Sequence, residues 1–141
     1  MSGLVVFSVQ KRVVDFATLA ASATEDLILT DRVDLLLWRE VDLRVQVYSH
    51  SLASGAGSIS IIMLPQSFTP EDPGLAFVDP TAAATAAIVA ATPTPAFLSM
   101  SATMLGTHGI AAMTRIIARG SRTSPGALNA TLSVQLAVKD S

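Results

Sequence analysis

Residues 33–47 read Val-Asp-Leu-Leu-Leu-Trp-Arg-Glu-Val-Asp-Leu-Arg-Val-Gln-Val. At the odd positions Val33, Leu35, Leu37, Val41, Leu43, Val45 and Val47 are apolar, and only Arg39 interrupts them. The even positions are mostly polar: Asp34, Glu40, Asp42, Arg44 and Gln46, with Leu36 and Trp38 the exceptions. Side chains of a strand alternate between faces, so this spacing sorts the run into a dry side and a wet side. A helix would scatter the same residues around its circumference. The run exceeds an ordinary strand, so a bend or bulge is expected near Trp38-Arg39-Glu40, where the pattern slips.

The same alternation recurs elsewhere. Leu128, Ala130, Leu132, Val134, Leu136 and Val138 alternate with Asn129, Thr131, Ser133 and Gln135, then Ala137 and Lys139. Leu4–Val9 reads as a short strand that Val13–Leu19 either continues or follows as a second one. Residues 58–64 alternate and are expected to pair with the preceding strand as a hairpin across Ser51–Gly57. Phe97–Leu105 and Met113–Ala118 complete the set, with turns at Gly106–Gly109 and Gly120–Gly126. Thr69-Pro70-Glu71-Asp72 has helix-start chemistry that Pro73-Gly74 cuts short, so it reads as one turn within a loop. Ala82–Ala91 suits a strand or a helix equally. Seven to nine strands with frequent turn signals predict an all-β fold, a single antiparallel β-sandwich of jelly-roll-like or Greek-key type.

The 141 residues fit one domain, 1–141, in which 1–26 serves as an N-terminal arm or an edge strand. There is no cysteine, hence no disulfide framework and no thiolate chemistry. Only 14% of residues are charged while 50% are hydrophobic. An average domain is nearer a quarter charged. Burial of part of the surface against other subunits is the favoured explanation, and a surface of Thr, Ser and Ala is the alternative. A net charge of −2 argues against a dedicated nucleic-acid binder. No apolar run is long enough to span a membrane as a helix, and Met1–Ser8 lacks the basic start of a signal peptide.

No catalytic pattern stands out. His50 and His108 lie outside any His-x-His or His-Glu-x-x-His context, and both read as solvated turn residues, so no metal site is expected. Gly-x-Ser-x-Gly is absent. Glu71, Asp72 and Asp79 are the only charges between Ser51 and Ile110, without the spacing of an EF-hand calcium loop. No catalytic residue and no cofactor is assigned. Arg115, Arg119 and Arg122 form the densest basic cluster, and on a strand Arg115 and Arg119 share a face across Ile117. Their expected role is pairing with acids such as Asp34, Glu40 or Asp42, within the chain or between subunits. Trp38 and Tyr48 occupy the outward side of the long strand, where aromatics anchor an interface or stack on sugars.

In Asp31–Val47, the Pro-rich Phe68–Pro73 and the neutral closing run Leu128–Lys139, the chain resembles small all-β accessory proteins that decorate tailed phages and phage-like particles. The resemblance spans the whole chain in texture and carries over no functional residue. It implies a non-enzymatic structural subunit of a virion or intracellular particle, packing against copies of itself or a larger shell or tail protein. Trp38, Tyr48, Arg115, Arg119 and Arg122 are then the candidate interface residues. A glycan- or ligand-binding β-sandwich module is the alternative.

Overall fold

Alternating side chains need a second sheet to cover their dry side, and the chain supplies it. The computed structural model describes residues 4–16, 18–34, 40–65, 83–85, 87–103 and 113–139. Among these the elements are all strands: β1 (Leu4–Asp15), β2 (Thr24–Asp34), β3 (Glu40–Leu52), β4 (Gly57–Pro65), the two-residue β5 (Ala83–Ala84), β6 (Ala96–Thr103), β7 (Met113–Arg122) and β8 (Leu128–Lys139). No described helix is long and apolar enough to cross a membrane.

The pairing follows one rule. Outgoing strands meet returning ones in antiparallel pairs: β1 with β8, β2 with β7, β3 with β6, β4 with β5. The chain is therefore a long double hairpin whose rungs fall alternately in two sheets. Rungs β1·β8 and β3·β6 join through β8·β3 into sheet A, ordered β1-β8-β3-β6. Rungs β2·β7 and β4·β5 join through β7·β4 into sheet B, ordered β2-β7-β4-β5. Eight strands wound in this order make a jelly-roll β-sandwich, within the predicted class.

Two expectations change in consequence. Residues 33–47 are not one bent strand. β2 ends at Asp34 in sheet B, and β3 begins at Glu40 in sheet A, with 35–39 outside the described residues. Nor do β3 and β4 form a hairpin, because β3 lies in sheet A and β4 in sheet B. The link between them is pinned instead to the turn after β7. Buried Ala56 accepts hydrogen bonds through its carbonyl from the N–H groups of Thr123 (2.8 Å) and Ser124 (3.3 Å). Gly57 has φ +151°, and a Cβ there would stand 2.0 Å from the Ser121 carbonyl oxygen, so only glycine fits. The stretch 82–91 is neither continuous strand nor helix where it is described. After β5, buried Ile88 bridges to Ile59, and a turn closes from Val89 to Thr92.

The core lies between the sheets. β3 sends in Val41, Leu43, Val45 and Val47, and β8 sends in Leu128, Leu132, Val134, Leu136 and Val138. Sheet B answers with Ile59, Ile61, Met63, Ile116 and Ala118. A plug closes one end. Phe16, just past β1, places its ring against Gly120 of β7, where a Cβ would come within 2.4 Å of the ring.

Candidate functional site

The inward residues of sheet A are mainly apolar, His50 opposite buried Ala130 being an exception, and its outward residues are the ones available to other molecules. The register sets them in rows across the strands. Ser8, Gln135, Arg44 and Ser99 lie opposite one another on β1, β8, β3 and β6. In the next row Ser133 faces Gln46, which faces Phe97. A groove of about 510 Å³ runs over these rows from Gln10 at one edge to Phe97 at the other.

A bulge shapes one wall. The β1·β8 register slips between Val9 and Arg12, and Lys11 adopts φ +49°, which is uncommon for a residue with a side chain. Bulges of this kind re-aim side chains. Here the Lys11 backbone N–H donates to Ser133 Oγ at 2.9 Å, and the Ser133 hydroxyl donates to the Tyr48 hydroxyl at 3.1 Å. The Lys11 ammonium sits 5.4 Å from the centre of the Tyr48 ring, within cation–π range. The phenol is thus held from two sides.

The row beyond is charged and satisfied internally. The Ser101 hydroxyl donates to Asp42 Oδ1 at 2.5 Å. Lys139 Nζ and Arg44 Nη2 approach Asp42 Oδ2 at 3.3 and 3.4 Å. The Ser101 hydrogen bond, aided by Lys139 and Arg44 and opposed by partial burial, holds the Asp42 carboxyl below the usual carboxylate range.

The residues singled out in the sequence do not converge on one place. Trp38 lies outside the described residues, as do His108, Glu71, Asp72 and Asp79. Tyr48 lines the groove. Arg115 and Arg119 share the outer face of sheet B, and Ile117 between them is buried with Ile62 and Leu64. Arg119 makes a two-point pair with Asp26 on β2, its register partner, at 2.7 and 2.9 Å. That acid is none of the three expected. Arg122 has the opposite orientation from its cluster mates and is no surface contact. With 4% of its surface exposed, it donates to the backbone carbonyls of Ser124 and Gly126 at 2.9 Å and of Phe16 at 3.1 Å. Strand parity explains the split: 115 and 119 are odd, 122 is even, and even residues of β7 face inward.

His50 also departs from its expected place in a solvated turn. It lies within β3, beyond a register slip between Val47 and Ser49, and is half-buried with its Nε2 2.7 Å from the Thr92 carbonyl. A carbonyl only accepts, so Nε2 carries the proton and donates. Among the described residues no group of three His, Asp or Glu side chains is placed to hold a metal ion.

A second surface falls on the N-terminal segment, which forms an edge strand, and extends to β2. On edge strand β1, Leu4 is 55% exposed and Val13 60%, with Val5 beside them. Ile28 is likewise exposed on β2, the edge strand of the opposite sheet, and β1 and β2 touch across the sandwich. Opposite Thr131 and Ile117, Val13 and Ile28 point to the outer sides of sheets A and B, so the β1–β2 seam carries exposed apolar residues on both of its flanks. Phe97, 74% exposed, stands at the far edge on β6. The bare apolar run Leu4-Val5-Val6-Phe7 was the only available signal for the seam, because edge position is a property of topology. No protein-family model, curated protein or solved structure matches the chain.

Proposed function

We propose that the protein is a non-enzymatic structural subunit that packs against copies of itself through the β1–β2 seam. The observation that carries the reading is the exposure of Leu4, Val5, Val13 and Ile28 along two adjoining edge strands. Edge strands are where sheets recruit other chains, and exposed apolar residues grouped there favour burial by a partner. Side-chain packing, more than sheet extension, is the mechanism. Register slips at Val5/Phe7 and Val9/Arg12 interrupt the β1 edge, and Lys11 and Arg12 add charge to it. Both features discourage open-ended strand addition. The closing strand β8 offers no free edge for such pairing, because it lies between β1 and β3. A virion or phage-like particle as the setting rests on analogy of fold, since jelly rolls build viral shells but also lectins and cupins.

Size-exclusion chromatography with light scattering tests the seam. The full chain is expected to run as a defined oligomer, and Val13→Asp is expected to shift it to monomer with its melting temperature kept. A wild-type chain that stays a monodisperse monomer at high concentration overturns the proposal.

A further inference from the structure

The groove over sheet A differs in chemistry from the seam, and the argument for it does not depend on assembly. We infer that it is a binding site for a neutral oligosaccharide. Its volume of about 510 Å³ lies within the range of small-ligand sites. Three glutamines, Gln10, Gln46 and Gln135, stand among Ser8, Ser99 and Ser133. A primary amide offers two donors and an acceptor, and a hydroxyl offers both roles. A lining that donates and accepts throughout matches a ligand whose own groups do the same, as sugar hydroxyls do. A phosphate-rich strand accepts only and would call for a row of cations. The lining holds one charged side chain, Arg44, which already leans on Asp42. A lipid would call for a continuous apolar lining, whereas here serines and glutamines are interspersed among the apolar groups.

The two aromatic residues supply what amides do not. A pyranose presents an apolar C–H face beside its hydroxyls, and aromatic rings are apolar surfaces with a negative face. Phe97 is three-quarters exposed, and its register partner is Gln46, so ring and amide stand side by side across two strands. Tyr48 lies two residues further along β3, already fixed by Ser133 and Lys11. Lys11 reaches that position through a backbone conformation that ordinarily costs energy, in a bulge that breaks the ladder. Such strain persists where the site it shapes has a use.

Nuclear magnetic resonance titration of the full chain with neutral hexasaccharides of glucose, galactose and N-acetylglucosamine tests the inference, with a printed array of neutral glycans widening the search. At least one glycan is expected to shift resonances of Gln46, Phe97, Ser99 and Gln135 saturably, with affinity nearly equal at low and high salt. Gln46→Ala and Phe97→Ala are each expected to weaken it about tenfold or more. Both residues point outward, so their melting temperatures serve as folding controls. No glycan bound at millimolar concentration overturns the inference, and so does binding that both variants leave unchanged. Binding of a single-stranded oligonucleotide at the same residues, with a steep salt dependence, assigns the groove to another class and also overturns it. A monomeric protein that binds glycan would refute the seam and leave the groove standing.

Discussion

The two faces of sheet A obey one rule and end in opposite chemistry. Inward, β3 and β8 present Val, Leu and Ala that are nearly all fully buried. Outward, the same strands present Gln46, Tyr48, Thr131, Ser133 and Gln135, with Glu40, Asp42, Arg44 and Lys139 gathered toward one end. The comparison teaches that a shortage of charge need not signal a covered surface. Hydroxyls and amides solvate this face without ions, so the low charged fraction is in part a property of sheet A itself. The seam of Leu4, Val13 and Ile28 is different, because there apolar groups take positions that water reaches. The case for a partner rests on that seam and no longer on composition.

The sharpest way to break the contrast is to delete one side chain from each face of β8. Leu132 is wholly buried, and Leu132→Ala should cost about 2–5 kcal/mol, through lost burial and the cavity left behind. Gln135, three residues on and outward, should change stability by no more than about 0.5 kcal/mol when made alanine. Urea denaturation measures both. Equal effects would mean that the faces are not distinguished by burial.

Gly120 tests the inner face of sheet B by addition. A methyl group there meets the Phe16 ring at 2.4 Å, and the Phe16 backbone is itself held, its N–H donating to the Leu128 carbonyl and its carbonyl accepting from the Arg122 guanidinium. Gly120→Ala should therefore cost about 1–3 kcal/mol, as overpacking does. Phe16→Leu in the same chain should recover part of that loss. Full additivity of the two changes would show that ring and glycine are not in contact.

Legibility followed locality. Alternation in 128–139 and 41–47 marked strands and inward residues correctly, because period two is written in neighbouring residues. The jelly-roll order is not local. Nothing in Val33–Val47 tells that its two ends belong to different sheets, and nothing in Ser51–Gly57 tells that the link crosses the sandwich. Arg122 looked like part of a basic patch because three arginines are close in sequence, yet parity turns it inward to cap carbonyls. Tyr48 is conspicuous in the sequence as an aromatic on a wet face. Gln46 and Gln135 are inconspicuous, because a lone glutamine carries no signal until the register sets three of them over one groove.

The smallest expected effect concerns the charged row, where the outer face comes closest to behaving like an ordinary ionic surface. Asp42 is held below its ordinary value of 3.8 in the folded chain, first by the Ser101 hydrogen bond and then by Lys139 and Arg44. Below that ordinary value the unfolded chain takes up the proton more readily than the folded one. Stability from this group is therefore present above the ordinary value and is lost as pH falls through the lower folded value. The magnitude should not exceed about 1 kcal/mol, the range of surface ion pairs. Urea denaturation of wild type and Asp42→Asn from pH 6 down to the acid limit isolates it. The wild type should lead at pH 6, and the gap should shrink on acidification. A gap that stays constant to the lowest pH would mean that the carboxylate charge is idle and that only the hydrogen bond from Ser101 matters. The outer face of sheet A would then owe nothing to ions even around Asp42.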